Sequence, residues 1–481
     1  MKSRTKKTEL RSILAIVPIW IMLVAVNCAV AEIKLPHILS DHAVLQRNRP
    51  IHIWGTANPG SSIVVKFHAQ SASAITDVAG AWSVWLSPER EGGPFSLAIQ
   101  GDGAVTLNDI LVGDVWIASG QSNMQMPLKG FDKAPVNNST AIIAAATNPR
   151  IRLLNISRKT SKSPASDISE QWAQCTPGSV PNISAIGYLF AHDISQREKV
   201  PVGLIVSTWG GTPVEAWTSD GTMKSNPALQ GPELRADPIW QPSGIYNAMI
   251  APLTPYSVKG ILWYQGETNS SPLARARDYR VQLPALIADW RMNFGQGRIP
   301  FLFVQISSFM NPHEYWGLIR DAQRRTLDVA DTAMVVSLDV GVRENVHPPD
   351  KQTVANRLSL AARALVYGEP VEYQGPLFRQ ATTEGVSMRV WFDHAQGLVN
   401  KTSAIDGFEV AGEDHHFQKA SARIDQGTIV VNASSIPNPK YVRYAWANDA
   451  VPSLYNAAKL PLSTFTSEEH PEQYQEVVVT P

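Results

Sequence analysis

The fold is decided by one stretch of the sequence, Gly113-Asp-Val-Trp-Ile-Ala-Ser-Gly-Gln-Ser-Asn-Met-Gln-Met126. Its first half, from Val115 to Ala118, is an apolar run of strand-forming residues, and turn and helix-capping residue types follow at once. We therefore predict a buried strand that ends in a tight turn carrying Ser122. Such a turn presents a serine hydroxyl beside free backbone N–H groups, which suits a nucleophile of acyl transfer. The alternative at this point is that Ser122 only caps a helix.

The first 31 residues have the pattern of an export signal. Five basic residues accompany an apolar stretch from Ile13 to Val26, and Ala29-Val-Ala31 matches the small-residue pattern of a signal peptidase site. We therefore predict a signal peptide at 1–31 and cleavage before Glu32. The mature protein is expected in the periplasm or outside the cell, without a membrane span, because the apolar stretch is short for one.

The composition is that of an ordinary globular protein, with 44% hydrophobic and 17% charged residues in a chain of 481. This length predicts two or three domains. Cleavage leaves 37 basic and 41 acidic residues, and a net charge of about −4 argues against a nucleic-acid partner. Only Cys175 then remains, which excludes an intrachain disulfide and a thiolate metal cluster. The 14 tryptophans suit stacking on sugar rings, although most tryptophans pack in cores.

The mature chain divides into three regions. Short strands separated by turn residues at 32–111 predict an antiparallel β sandwich. Strands alternate with helices at 112–370, which predicts a three-layer α/β domain around a parallel sheet, of the hydrolase-like, flavodoxin-like kind. Residues 371–481 are predicted to form a second β module. The strands expected in the α/β domain are Asp114 to Ser119, Arg152 to Asn155, Val202 to Ser207, Lys259 to Trp263, Phe301 to Ile306 and Ala333 to Leu338; the helices are Gly187 to Glu198, Asp278 to Trp290, Trp316 to Val329 and Gln352 to Val366.

A glycine pair follows one of these strands, in Ser207-Thr-Trp-Gly-Gly-Thr-Pro-Val-Glu-Ala-Trp217. Glycines at a strand end allow a close backbone approach and an N–H aimed at an oxyanion, and Gly211 is the candidate donor. Glu215 and Trp217 are candidates for lining a sugar pocket. The alternative is an ordinary glycine turn before a helix, which Glu215 and Trp217 merely stabilise.

A third stretch, Ile261-Leu-Trp-Tyr-Gln-Gly-Glu-Thr-Asn269, places several polar side chains after a strand. The carboxamide N–H of Gln265 is a candidate oxyanion donor beside two backbone N–H groups. The competing interpretation is a hydrogen-bonded loop that only supports the structure.

The fourth stretch is Leu338-Asp-Val-Gly-Val-Arg-Glu-Asn-Val-His-Pro-Pro-Asp-Lys351. If Ser122 is the nucleophile, a histidine on a loop late in the domain is where a general base is expected. Loop histidines are usually inert surface residues. His347 is favoured because Glu344, three residues earlier, is suited to holding the imidazole by its Nδ1 proton.

Four motifs in this order resemble the sequence blocks of the SGNH hydrolases, and in particular the sialate O-acetylesterases and related bacterial carbohydrate acetylesterases. The motifs are Gly120-Gln-Ser-Asn-Met124, Gly210-Gly-Thr-Pro-Val-Glu-Ala-Trp217, Trp263-Tyr-Gln-Gly-Glu-Thr-Asn269 and Val346-His-Pro348. The resemblance implies that Ser122 is the nucleophile and an oxyanion donor through its own N–H, that Gly211 is a second donor, and that His347 is the base.

The sequence departs from the superfamily pattern at two positions. Gln265 stands in the block that usually supplies an asparagine donor, so the resemblance assigns that role to Gln265 and keeps Asn269 in reserve. Glu344 replaces the aspartate that usually lies three residues before the histidine. Either Glu344 completes a triad, or the site is a Ser–His dyad helped by a backbone carbonyl; Asp339 is a third choice. The residues expected to bind substrate are Gln121, Asn123, Glu215, Trp217, Glu267 and Asn269.

The resemblance implies metal-free and cofactor-free hydrolysis of acetyl esters on a sugar, through an acyl-enzyme. O-acetylated sialic acid and acetylated xylan are the leading substrates. Two alternatives stay open: a non-catalytic glycan-binding protein, and a metal hydrolase that uses Glu413-Asp-His-His416 or His313-Glu314. The sequence leaves the oligomeric state open.

Overall fold

The computed structural model describes residues 1–2, 32–229 and 237–475. Except for its first two residues, the predicted signal peptide therefore lies outside the described residues. Within these ranges, no helix combines the length and the apolar character that crossing a bilayer requires.

The N-terminal region forms two β sheets. Strands β2 and β5 form a two-stranded antiparallel sheet. The other strands pair in the order β4-β3-β6-β7-β1. In β5, Trp82, Val84 and Leu86 are buried and alternate with exposed residues, as the sequence pattern predicts. The strands are β1 (Val44–Gln46), β2 (Ile51–Thr56), β3 (Ser62–Phe67), β4 (Gln70–Ile75), β5 (Ala81–Leu86), β6 (Gly92–Gln100) and β7 (Ala104–Gly120).

Strand β7 is 17 residues long and belongs to two sheets. Its first half pairs antiparallel with β6, where Ala104 lies opposite Gln100. From Asp114 onward it lies inside the parallel sheet of the next region, paired on both sides. The position between residues 111 and 112, where the sequence suggests a domain boundary, therefore falls within a strand; the three domain limits themselves stay a prediction.

The middle region is built on a parallel sheet with the strand order β13-β12-β11-β7-β10-β8-β9, in which only the edge strand β9 is antiparallel. The strands are β8 (Asn148–Asn155), β9 (Ala173–Cys175), β10 (Val202–Thr208), β11 (Gly260–Tyr264), β12 (Phe301–Gln305) and β13 (Thr332–Val336). The helices are α1 (Ser122–Gln125), α2 (Ser139–Ala144), α3 (Ala185–Glu198), α4 (Asp220–Ser225), α5 (Leu273–Phe294), α6 (Trp316–Arg325) and α7 (Lys351–Leu365). Single 3₁₀ turns follow three strands, at Val214–Trp217, Glu267–Ser270 and Leu338–Val340.

Helices cover both faces of this sheet. On one face, the ring of Trp116 in β7 lies 4.9 Å from that of Phe190 in α3. On the other face, Trp263 in β11 lies 5.7 Å from Trp290 in α5. All these aromatic residues are fully buried. The predicted three-layer α/β arrangement is confirmed.

The C-terminal region is a β module with two four-stranded sheets, ordered β14-β15-β20-β19 and β18-β17-β21-β23, and a small pair, β16 and β22. Phe465 of β23 joins the sheets, because its ring lies 4.5 Å from Phe378 in β14 and 5.7 Å from Phe392 in β15. The elements are β14 (Leu377–Glu384), β15 (Ser387–Asp393), β16 (Val399–Asn400), β17 (Phe408–Ala411), β18 (Gln418–Lys419), β19 (Ser421–Asp425), β20 (Thr428–Asn432), β21 (Tyr441–Tyr444), β22 (Leu454–Tyr455), β23 (Phe465–Thr466) and α8 (Pro471–Tyr474).

Several boundaries differ from the sequence-based expectation, among them the start of β8, at Asn148 instead of Arg152, and the end of helix α5, at Phe294 instead of Trp290. Helix α5 begins at Leu273, directly after Pro272, whereas the pattern predicts a start at Asp278. The helix predicted to run from Trp316 to Val329 ends at Arg325 and continues as a 3₁₀ turn, Thr326–Asp328. Propensity alone does not locate either end, because helix termini depend on local capping and packing.

Candidate active site

The strand that leads to Ser122 ends in a turn that only glycine allows. Gly120 has a φ of 124°, and a Cβ atom there would lie 2.2 Å from the backbone oxygen of Tyr264 in the neighbouring strand β11. A larger residue would separate the two strands. Ser122 then begins α1, so its N–H belongs to a first helical turn and has no partner within that helix.

Five of the residues chosen from the sequence line one cleft, with a volume of about 910 Å³: Gln121, Ser122, Gly211, Glu267 and His347. They come from the loops that follow three neighbouring parallel strands and from the loop before α7. The carboxyl ends of these strands form the edge where α/β sheets bind ligands. A second cleft of about 950 Å³ lies on the N-terminal module and contains none of the predicted residues.

The glycine pair contacts Ser122. A Cβ atom on Gly210 would lie 3.0 Å from the Cβ atom of Ser122, and the N–H of Gly210 donates to Gln125 Oε1 at 2.5 Å. Gly211 has a φ of 73°, and its N–H donates to no group in the described part of the chain. The N–H of Gly211 is therefore an available backbone donor in the cleft that Ser122 also lines.

The imidazole of His347 is half-buried and faces the cleft. Its Nε2 atom has no hydrogen-bond partner among the described residues, and the ring packs edge-on against Phe131 at 5.2 Å. Burial, followed by the positive charge of Lys351, lowers the pKa of His347 to about 4. The imidazole is therefore neutral at pH 7, which is the form that accepts a proton.

Neither acidic candidate for the third member of a triad contacts His347. Glu344 is exposed, and the described residues show no hydrogen bond from it to the imidazole. Asp339 instead accepts from both terminal nitrogens of Arg357, each at 2.6 Å. Ser122 and His347 line the same cleft, and whether Glu344 completes a triad with them stays a prediction.

A buried polar network lies beside the loop of His347. Asn123 donates from Nδ2 to Glu267 Oε1 at 2.6 Å and to the carbonyl of Val346 at 2.9 Å, while its Oδ1 accepts from Lys351 Nζ at 2.7 Å. Burial raises the pKa of Glu267 and lowers that of Lys351 to about 7. Asn123 thus joins the turn that carries Ser122 to the backbone beside His347.

The remaining predicted residues lie beneath the cleft instead of lining it. Gln265 is fully buried and donates from Nε2 to the carbonyl of Thr212 at 3.2 Å and to Asn269 Oδ1 at 2.7 Å. Asn269 donates to Glu215 Oε2 at 2.9 Å, and Trp217 Nε1 donates to Thr212 Oγ1 at 2.9 Å. Their roles as oxyanion donor or substrate contacts stay predictions, which require these side chains to leave their present partners.

Several residues of the cleft were not predicted from the sequence to bind substrate. Arg275, nearly fully buried, carries its guanidinium 4.5 Å from the ring centre of Trp240, and its Nε lies 3.5 Å from Glu215 Oε1. One whole wall comes from the loop after β12, through Phe309, Asn311, His313, Glu314 and Trp316. The signal for that wall was its place at the carboxyl end of a parallel strand. No comparable signal marks Arg275, which lies before the predicted start of its helix.

The clusters considered for a metal site have other surroundings. His313 and Glu314 lie in the cleft wall, and Trp316 Nε1 donates to Glu314 Oε2 at 2.5 Å. Glu413 pairs with Lys440, and His415 Nδ1 lies 2.7 Å from Glu468 Oε1. Across the described ranges, no three His, Cys, Asp or Glu side chains come together as metal ligands do.

Comparison with known proteins adds two kinds of similarity. Residues 112–365, more than half of the chain, match the family model of the carbohydrate esterases described as sialic acid-specific acetylesterases. The sialate O-acetylesterase of Homo sapiens is 33% identical over 368 residues, covering 68% of this chain and 69% of its own. That of Rattus norvegicus is 30% identical and covers 89% of this chain and 93% of its own.

The fold has a solved counterpart as well. The crystal structure of a carbohydrate acetylesterase from Xanthomonas citri superposes with a TM-score of 0.84 at 35% identity, over 91% of this chain and all of that one. The resemblance to carbohydrate acetylesterases of the SGNH type is confirmed. The chain therefore belongs to the sialic acid-specific acetylesterase family of carbohydrate esterases, and with it to the carboxylic ester hydrolases.

Proposed function

We propose that this protein removes acetyl groups from O-acetylated sialic acid by serine esterase chemistry. The observation that carries the proposal is that Ser122, Gly211 and His347, from separate parts of the sheet edge, line the same cleft. The cleft thus combines a nucleophile, a backbone donor and a neutral imidazole.

The chemistry follows from these positions. His347 Nε2 takes the proton of Ser122 Oγ, which attacks the acetyl carbonyl carbon. The N–H groups of Ser122 and Gly211 stabilise the oxyanion, and Gln265 is a proposed third donor. The imidazolium then protonates the leaving sugar oxygen. A water molecule, deprotonated by His347, releases acetate and restores Ser122.

The geometry supports a Ser–His dyad as the working form. His347 is kept neutral by burial and by the charge of Lys351, and Glu344 is too exposed to stabilise the imidazolium where it lies. The cleft does contain one buried carboxyl group, that of Glu267, whose Oε2 atom has no partner among the described residues. Glu267 is therefore the buried acid that lines the cleft together with His347.

The substrate proposal rests on the family and on one side chain. The relatives that match are named sialate O-acetylesterases, and sialic acid carries a carboxylate. Arg275 is the single arginine or lysine among the described residues that line the cleft. A guanidinium held over Trp240 is suited to binding a carboxylate through two parallel hydrogen bonds.

An acetylated neutral glycan such as xylan is the second candidate. Three acidic residues, Asp237, Glu267 and Glu314, line the cleft against one arginine. Burial raises the pKa of Glu267 and of Glu314, so these two tend toward the neutral form. A cleft with neutral carboxyl groups offers hydrogen bonds to sugar hydroxyls.

The test measures acetate release by wild type, Ser122→Ala and Arg275→Gln from O-acetylated N-acetylneuraminic acid, acetylated xylan and 4-nitrophenyl acetate. Ser122→Ala is expected to be inactive on all three. Arg275→Gln is expected to raise KM about tenfold on the sialic acid ester only, because one charge-assisted contact is lost. A wild type that deacetylates xylan and not the sialic acid ester overturns the substrate proposal. A folded wild type that is inactive on every ester overturns the proposed esterase function as a whole.

We further propose that the chain is exported to the periplasm or beyond, and that its modules are residues 32–111, 112–370 and 371–481. The basic and apolar pattern of residues 1–31 supports export. Expression of the full chain and N-terminal sequencing of the protein outside the cytoplasm tests this: a mature start at Glu32 is expected, and retention of an intact N-terminus in the cytoplasm contradicts it.

A further inference from the structure

One wall of the cleft is a loop that hydrogen-bonds to residues outside it. Residues 309–316, which we call the wall loop, connect β12 to α6 and contribute five cleft-lining side chains. Of these, Glu314 and Trp316 bond each other, and Phe309 packs on Trp316 with ring centres 5.7 Å apart. The main-chain groups of the loop find many of their partners elsewhere.

Several of those partners lie in the C-terminal module, whereas the N–H of Tyr315 donates to the carbonyl of Ser270 at 2.8 Å. Residues 445–450, which we call the bridging segment, follow β21 and lie against α6 and the wall loop. Asn448 is the central contact. Its Oδ1 accepts from the N–H of Trp316 at 3.1 Å, and its Nδ2 donates to the carbonyl of Glu314 at 2.8 Å and to that of Asn311. Its carbonyl also accepts from the N–H of Phe309 at 3.0 Å.

A buried arginine fixes the bridging segment on α6. The guanidinium of Arg320, fully buried, donates to the carbonyls of Ala445 at 3.1 Å, Trp446 at 3.3 Å and Ala447 at 2.5 Å. Next to it, a Cβ atom on Gly317 would lie 2.7 Å from the ring and the backbone oxygen of Trp446. Such a close approach leaves the segment no room to slide along the helix.

The bridging segment also contacts the loop that carries His347. Asp449 Oδ2 lies 2.9 Å from Arg343 Nε, and the carbonyl of Arg343 accepts from the N–H of Met310 at 2.8 Å. Arg343 and Asp449 are partly exposed, so their ion pair is worth little by itself. Among the described residues, the wall loop is thus joined to the His347 loop by a backbone hydrogen bond, and to the C-terminal module by the side chain and the carbonyl of Asn448.

We propose that Asn448 is a positioning residue that sets the shape of the sugar-binding wall, so that the C-terminal module determines which acetylated sugar is bound productively. None of the bridging segment lines the cleft, and Asn448 therefore acts through the wall loop. The proposal rests on the proposed function, because it concerns the same cleft. Ser122, Gly211 and His347 lie outside the wall loop, so cleavage of a small acetyl ester is expected to be independent of Asn448.

The test compares wild type, Asn448→Ala and Asn448→Asp on the O-acetylated sugar that the wild type cleaves and on 4-nitrophenyl acetate. Both variants are expected to lose about tenfold or more in kcat/KM on the sugar, mainly through KM, because hydrogen bonds that order the wall are lost. Activity on 4-nitrophenyl acetate stays within about twofold. Asp has the shape of Asn, so an equal loss in Asn448→Asp assigns the effect to the missing N–H donors and not to a cavity.

Asp449→Ala is the matched control, because it removes a neighbouring but partly exposed contact of the same segment, and wild-type kinetics are expected. Hydrogen exchange supplies a second readout: Asn448→Ala accelerates exchange in the wall loop while β17 and β21 stay protected. Loss on both substrates, or exchange throughout the C-terminal module, shows general unfolding and overturns the proposal. Wild-type kinetics of Asn448→Ala on the sugar also overturn it, whereas a wild type inactive on every sugar ester overturns the proposed function first.

Discussion

Lys351 Nζ donates to Asn123 Oδ1 at 2.7 Å, and through it the first residue of α7 is joined to the residue that follows Ser122. The ammonium is fully buried, and its charge is the second cause, after burial, of the lowered pKa of His347. A cation behind the base disfavours the imidazolium and favours the neutral base. The pair thereby links the position of Ser122 to the protonation state of His347.

This link predicts the pH dependence of the reaction. The neutral form of His347 is needed, so kcat/KM is expected to hold as pH falls below the ordinary histidine range and to drop only near the lowered pKa of about 4. Lys351→Met removes the positive charge while burial remains. The pH below which kcat/KM falls is therefore expected to rise toward the ordinary histidine pKa of 6.5 without reaching it. Rates measured between pH 3.5 and 8 check this. Lys129→Met, at an exposed lysine, is the control. An acid side of the pH profile that is unchanged in Lys351→Met contradicts the electrostatic account.

Ser122→Ala is expected to remove activity without weakening the fold. The described residues show no hydrogen bond to its Oγ atom, so nothing that stabilises the native state is lost. Activity falls by about 10³-fold or more. Ser119→Ala, three residues earlier in β7, gives the opposite pattern: its buried Oγ donates to Ser207 O at 2.6 Å, and its loss costs about 1 kcal/mol of stability with little effect on rate. Acetate release and thermal unfolding distinguish the two.

Glu344→Ala separates a triad from a dyad. Because Glu344 is exposed and apart from His347, kcat is expected to change by less than about threefold. Asp339→Asn is the comparison, since it breaks the paired contact with Arg357 and is expected to lower the unfolding temperature instead. A loss of about 100-fold or more in folded Glu344→Ala shows that the loop rearranges during catalysis and brings Glu344 to the imidazole.

Gln265→Leu tests the proposed third oxyanion donor. In the structure the carboxamide stabilises the core beneath the cleft, so its removal is expected to lower the free energy of unfolding by about 2–4 kcal/mol, with a smaller effect on kcat per folded molecule. Chemical denaturation and active-site titration measure the two quantities. If stability is unchanged and kcat falls about 10²–10³-fold, the carboxamide reaches the oxyanion and the donor role is correct.

The strands of the α/β region follow from local pattern. β10 is buried at all seven positions, and such an apolar run between turn residues is typical of a parallel strand covered on both faces. Ser122 and His347 are predictable as well, because polar residues at strand ends of one sheet edge converge. These features depend on neighbours in the sequence, and the parallel order of the strands then brings the distant ones together.

The orientation of the polar side chains was harder to predict. Gln265 lies two residues after Trp263 and thus on the α5 face, where its main-chain oxygen accepts from Tyr279 of that helix. The alternation of side chains along a strand, if continued from Trp263 to Gln265, predicts this buried position. Trp217 gives no such signal: the turn Val214–Trp217 buries all four residues, and a 3₁₀ turn does not show in sequence which way a side chain faces. The wall loop depends on Asn448, more than a hundred residues away, and no local pattern reveals such a contact.

The continuity of β7 has a practical consequence. The same 17 residues form a ladder with β6 at one end and lead into the turn that carries Ser122 at the other. An excised catalytic fragment starting at Val112 would begin in mid-strand and would lack both partners of that end of β7, β6 and β1. The chain has no linker there for a protease to cleave or for an engineer to splice. Grafting this esterase onto another scaffold therefore requires transferring the N-terminal sheet along with it.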